Sequence, residues 1–110
     1  MQTSKQYDAC LRWIKALNSG KYKQGKHALR KNNKYCCLGV AAEIENCKSV
    51  YGNLFQFTKT YISGTRPPNS WFKRKYGLSI PVSMFVNLND MDCNLTFKNI
   101  AKVIRAAMDY

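Results

Sequence analysis

Acidic residues are what this sequence lacks most. Its 110 residues include six Asp/Glu against eighteen Lys/Arg, a formal charge of +12. Such a balance costs self-repulsion in the folded state and suits anionic partners: nucleic acid, nucleotides or acidic protein surfaces. Histidine occurs once, as His27, so Ser/His/Asp hydrolysis would rest on one imidazole with no nucleophile motif. There is no Cys-x2-Cys pair, and the five cysteines are odd in number and irregularly spaced. No metal site and no disulfide framework are therefore expected, and the cysteines read as small core residues in a reducing compartment. Neither GxxxxGK[ST] nor GxGxxG is found, which argues against a P-loop ATPase or a dinucleotide fold. No apolar run is long enough to span a bilayer, no acyl or prenyl signal is present, and MQTSKQYDAC carries no apolar leader core. These absences point to a cytoplasmic protein without a membrane partner.

What is present specifies a folded chain. A hydrophobic content of 45% and an aromatic content of 13% suffice for one modest core, so residues 1–110 read as a single domain. Thr3 and Gln6 have capping-box spacing, and Tyr7, Leu11, Ile14 and Leu17 recur at helical period, predicting a helix over 4–18. Lys5, Arg12 and Lys15 lie off that stripe, Trp13 lies near its edge, and Gly20 suits the position just past the helix end. Asn32-Asn33 is a turn signal across which 28–30 and 34–36 pair as a hairpin. Residues 37–46 favour a helix, with a strand over 35–40 as the competing reading. Residues 51–62 are rich in strand formers between Gly52 and Gly64, and the Pro67-Pro68 segment is a loop. Ser70 is a candidate cap for a short helix ending at Gly77. Residues 82–88 form a short apolar strand or helix. Thr96 or Asn94 caps a last helix whose apolar stripe is Phe97, Ile100, Ala101, Ile104 and Met108, with Lys98, Lys102 and Arg105 opposite. The fold class is α+β: N- and C-terminal helices packed on a small antiparallel sheet or hairpins.

The candidate chemistry concentrates in 21–35. From Lys21 to Lys34 the chain holds six Lys/Arg, the lone histidine and no acid. Lys21, Lys23, Lys26 and Arg30 are candidates for phosphate oxygens, Tyr22 and Tyr35 for stacking on a base, and Gln24 for reading its edge. Lys73, Arg74, Lys75, Lys98, Lys102 and Arg105 form a secondary basic face. Asn87, Asn89 and Asp90 either line a pocket beside the basic loop or brace the turn before the last helix. Asp90 with Asp92 reads as loop caps before a Mg²⁺ site. Cys36 or Cys37 with His27 as base is the remaining catalytic arrangement, set against a paired-cysteine start to a buried element. The balance is a non-enzymatic binder with no cofactor.

Three blocks carry a resemblance. SGKYKQGKHALR…KYCCLGV (19–40), WFKRKYGLS (71–79) and LNDMDCNLTFKNIAKVI (88–104) are similar to a family of small, functionally uncharacterised proteins found widely in tailed bacteriophages. The resemblance implies a phage origin and a shared fold, not a mechanism. Lys73, Arg74, Lys75, Lys98 and Lys102 stand where relatives tend to carry acids, marking that charge as a specialisation of this chain. The combined expectation is an accessory protein of counter-defence or host takeover in the host-cell cytoplasm. Its partner would be nucleic acid or a nucleic-acid-containing host defence complex. The alternatives are a sponge for a small nucleotide signal and a direct protein inhibitor with a basic docking face.

Overall fold

A computed structural model describes residues 1–50, 54–58, 62–90 and 95–109. Among the described residues, five helices and two three-stranded sheets form an α+β domain whose radius of gyration, 12.7 Å, matches the roughly 13 Å of a compact chain this long. Helix α1 (Ser4–Asn18) starts at a capping box: Gln6 N–H donates to Thr3 Oγ1 at 3.2 Å and Thr3 N–H to Gln6 Oε1 at 2.9 Å. It stops where Gly20 takes a left-handed conformation (φ 77°). Helix α5 (Phe97–Ala107) begins at Thr96, whose side chain accepts from Asn99 N–H, and buries Phe97, Ile100, Ala101 and Ile104. Met108 closes this helix as its C-cap and is half-buried. Asn94 lies outside the described residues.

Helix α1 packs against α5, against α2 (Cys37–Ile44) and against α3 (Asn69–Tyr76). Three neighbours demand a wider apolar arc than one stripe provides. Ala9, Cys10 and Trp13 are therefore buried along with Ile14 and Leu17, while Tyr7 and Leu11 stay half-buried. Trp13, read from the sequence as an edge residue, is fully buried. Its indole N–H donates to the Cys37 carbonyl at 2.9 Å, and its ring packs among Phe72, Tyr76 and Phe85.

Residues 37–44 are helical rather than extended. Cys36 acts as N-cap, its Sγ accepting from Gly39 N–H at 3.3 Å. Gly39 has a packing reason to be Gly, since any Cβ there would overlap the Leu29 carbonyl. Residues 82–88 also resolve to helix, within α4 (Val82–Asp90). Helix α3 starts earlier than Ser70 would set it: Pro68 (φ −60°, ψ 140°) is the N-cap and makes no side-chain cap bond. The proline fixes φ near the value helix entry needs, so no hydroxyl is required. Gly77, at φ 62°, ends α3 as read.

The second sheet is an antiparallel meander of β4 (Lys48–Val50), β5 (Leu54–Gln56) and β6 (Ile62–Ser63). It covers part of the stretch read as strand-forming; Tyr51, Gly52 and Tyr61 lie outside the described residues. Among the described residues no helix is long and apolar enough to cross a membrane.

Among the described residues, one buried side-chain polar group lacks a partner. The Tyr76 hydroxyl is fully buried with no hydrogen-bond partner among the described residues. An orphaned buried hydroxyl costs free energy that a phenyl ring avoids. Tyr76→Phe is expected to stabilise the fold by about 1 kcal/mol, read as a higher urea midpoint at unchanged m; a loss of stability would mean that the hydroxyl is satisfied.

Candidate anion-binding sheet

The first sheet is built from the basic stretch: β1 (Lys23–Gln24), β2 (Arg30–Lys31) and β3 (Lys34–Tyr35), in the order β1-β3-β2. Strands β2 and β3 form the expected hairpin. Asn32 and Asn33 both have positive φ, 54° and 62°, the signature of the two-residue turn that matches strand twist. Strand β1 adds to β3 in parallel, with Lys23 opposite Lys34 and Gln24 opposite Tyr35; across the hairpin Lys31 faces Lys34 and Arg30 faces Tyr35.

Residues directly opposite one another in a sheet share a face, so the register sorts the stretch into two rows. Lys23, Lys34 and Lys31 form the outer row, and all three are exposed. With strands about 4.8 Å apart, the row is about 10 Å long. None of the three makes an ion pair with a carboxylate among the described residues. Like charges placed opposite one another cost about 0.2–1 kcal/mol per pair, and no carboxylate among the described residues pairs with the row to offset that cost. Beside the row, Gly25, Lys26, Ala28, Lys31, Asn32 and Lys34 line a cleft of about 270 Å³. Gly25 is needed there, because a Cβ would sit 2.7 Å from Lys34 Cβ.

Gln24, Tyr35 and Arg30 form the inner row, half-buried or buried. Tyr35 meets Tyr22 edge-on at 5.2 Å between centroids, while Lys21 and Arg30 each sit 5.6 Å from a ring, of Tyr22 and Tyr35 respectively. Arg30 Nη2 also donates to Asn33 Oδ1 at 3.1 Å. These four side chains pack on each other. The Gln24 amide donates to Asn89 Oδ1 (3.0 Å) and to the Leu95 carbonyl (2.8 Å), so its NH₂ group is committed inside the protein.

Asn89 is what holds the sheet to the helices. It is fully buried near the end of α4. Its Oδ1 accepts from Gln24 and from Cys37 N–H, the first amide of α2, at 3.2 Å; its Nδ2 donates to the Gly25 carbonyl at 2.8 Å and to Asp90 Oδ1. All four hydrogen-bonding positions of the amide are used. Of the two readings for this turn, bracing describes Asn89. Asn87 is exposed, and Asp90 accepts from Asn89 and lies 4.0 Å from His27 Nδ1. Asp92 lies outside the described residues, among which no group of three or more potential metal ligands is found.

The cysteine-nucleophile arrangement does not survive the packing. Cys36 and Cys37 are buried, and Cys37 Sγ donates to the Phe85 carbonyl at 3.7 Å. Burial pushes the Cys36 thiol up to about 12 and the Cys37 thiol well above its ordinary value, so neither is a thiolate at neutral pH. Cys10 is likewise raised to about 11 by burial. A thiol whose folded pKa exceeds its unfolded value of 9.0 contributes stability that is complete below pH 9 and lost as pH rises through the folded value. Melting temperature is therefore expected to be insensitive to thiol ionisation below about pH 8.5, then to fall between pH 9 and 11. Each buried thiol removes about 1.4 kcal/mol per pH unit in that window. A flat profile to pH 11 would contradict the burial of these thiols.

The residues of the secondary basic face line other grooves than the one beside the row. Lys98, Lys102 and Arg105 border a groove of about 210 Å³ between α5 and Ile14 and Asn18 of α1. Lys73 borders an apolar cleft with Phe72, Leu78 and Pro81, whereas Arg74 and Lys75 face α1. Sequence reasoning placed neither Lys31 nor Lys34 in the site. The signal that could have found them is the alternation of the hairpin: once Asn32-Asn33 is the turn, Lys31 and Lys34 must be opposite.

A small α+β domain with a lysine-faced mixed sheet is thus the class of protein that fold and site define. The chain belongs to the family described as a domain of unknown function (DUF8296), whose model matches residues 7–65 and so spans most of α1, both three-stranded sheets and α2. Comparison with curated proteins and with solved structures gave no match.

Proposed function

We propose that this protein is a non-enzymatic binder of phosphate-bearing polyanions, nucleic acid foremost, and that the outer face of the first sheet is where the backbone docks. The observation that carries this reading is the row Lys23–Lys34–Lys31, three exposed like charges held in register without a carboxylate partner among the described residues. Folding places them together at a cost, and an anion lying across the row converts that repulsion into attraction. Lys26 and the cleft beside the row extend the contact. Lysines contact phosphate as point charges and carry no sequence code, so affinity for the backbone with little sequence preference is the expected behaviour.

The resemblance to tailed-phage proteins supports a biological setting: an accessory protein in the host-cell cytoplasm, directed at a nucleic-acid-containing host complex. The direct test is fluorescence anisotropy with labelled single- and double-stranded oligonucleotides over a salt series. Saturable binding whose log K falls linearly with log salt concentration supports the reading. Absence of binding at low salt, or salt-independent affinity, contradicts it.

A further inference from the structure

A groove of about 630 Å³ runs between the N-terminal half of α1 and α3, and none of its residues belongs to the basic sheet. Its walls carry Lys5, Asp8 and Arg12 from α1, and Trp71, Arg74 and Lys75 from α3. Four cations therefore face a single acid in the wall. Two of the cations are fixed from behind by Glu45. Arg12 Nε and Nη2 donate to its two carboxylate oxygens at 3.2 and 3.1 Å, and Lys75 Nζ lies 3.5 Å from Oε1. The Glu45 side chain is 7% exposed, against 52% for Arg12 and 35% for Lys75. A buried carboxylate thus positions two partly exposed cations that retain N–H groups not used by Glu45. Lys5 and Arg74 have no carboxylate partner among the described residues.

The groove is also bridged by a hydrogen bond and has an aromatic wall. Gln6 Nε2 donates to the Arg74 carbonyl at 3.1 Å, clamping α1 to α3. Trp71 is half-buried and held edge-on by Phe57 (4.7 Å between centroids, 62°) and Tyr76 (6.1 Å, 81°). Fixed cations beside a fixed indole, in a volume within the roughly 300–1,000 Å³ range of small-ligand sites, match a ligand with a flat π-system joined to a compact anion. Counting Asp8 and Glu45 against the four cations leaves +2 (4 − 2). That balances a few phosphate charges, not a long polyanion.

We infer that this groove binds a nucleotide, with the base against Trp71 and the phosphates among Arg12, Arg74 and Lys75. A free nucleotide and a splayed nucleotide of a single strand share this chemistry. The site is independent of the sheet, so the two readings fail separately.

The test is titration of the whole protein with ATP, GTP, CTP and UTP, with adenosine and inorganic tripolyphosphate as half-ligands, followed by tryptophan fluorescence and melting temperature. Trp13 is fully buried, so ligand-induced quenching reports on Trp71. At least one nucleotide is expected to quench saturably and raise the melting temperature, with tripolyphosphate about 5- to 100-fold weaker for want of base stacking. Arg74→Glu is expected to abolish the response and Lys34→Glu to leave it intact, while Trp71→Phe removes the optical signal but keeps the thermal shift. A short single strand that competes with ATP identifies a strand as the source; no competition identifies the free nucleotide. The inference is overturned if no nucleotide binds, if tripolyphosphate binds as tightly as the best nucleotide, or if a folded Arg74→Glu variant binds like the parent.

Discussion

Asn89→Ala is expected to cost about 3–5 kcal/mol of stability, while Asn87→Ala, two residues earlier on the same helix, stays within about 0.5 kcal/mol. The contrast follows from what each amide touches. Asn87 is exposed. Asn89 supplies two acceptor contacts and two donor contacts in a site from which water is excluded. Truncation to Ala leaves the Cys37 N–H and the Gly25 carbonyl without their side-chain partner and removes one of the two acceptors of the Gln24 amide. Buried polar groups left unpaired cost about 1–3 kcal/mol each. Asn89→Asp is the sharper companion. It keeps the acceptor for Cys37 N–H, but it loses the donor to Gly25 and places a second carboxylate against Asp90, so it too is destabilising. Equilibrium urea unfolding, with m compared between variants, checks both. An Asn89→Ala midpoint like that of Asn87→Ala would mean that the sheet is not held by this residue.

Lys34→Glu is expected to weaken polyanion binding by at least about tenfold and at the same time to stabilise the protein by about 0.5–1 kcal/mol. Lys34 sits at the middle of the row, opposite both Lys23 and Lys31. Reversing its charge turns two repulsive cross-strand pairs into attractive ones and engages both neighbours, so one substitution withdraws three cations from a ligand. Stability gained at the expense of binding is the signature of a charge cluster kept for a partner. Lys48→Glu makes the same change in net charge on the second sheet and serves as the control; its affinity is expected to stay within about threefold of the parent, since Lys48 is not in the lysine row and salt screens an exposed charge outside it. If Lys34→Glu lowered stability and left affinity unchanged, the row would be an ordinary solvated surface.

How much could be read beforehand depended on how local the determining contacts are. The α1 start, the Asn32-Asn33 turn, the Gly77 stop and the Thr96 cap were legible because each is set within about four residues. The burial of Trp13 was not, because a single apolar stripe says nothing of three helical neighbours. Nor was the commitment of Gln24, a β1 residue whose partners, Asn89 and Leu95, are 65 and 71 positions away. The candidate site was half legible. The stretch 21–35 stood out by charge, but its division into an outer lysine row and a packed inner row follows from the parallel pairing of β1 with β3. That pairing joins segments separated by the whole hairpin, which periodicity cannot register.

The most direct measurement of the central claim is the salt dependence of oligonucleotide binding by the parent and by Lys34→Glu. If the row clamps the backbone, the slope of log K against log salt should become shallower by about 2–3 in the variant, the release of counterions from two to three phosphates. Parallel slopes, with the affinity loss of Lys34→Glu matched by Lys48→Glu, would show that net charge alone attracts the polyanion and that the lysine row is not its site.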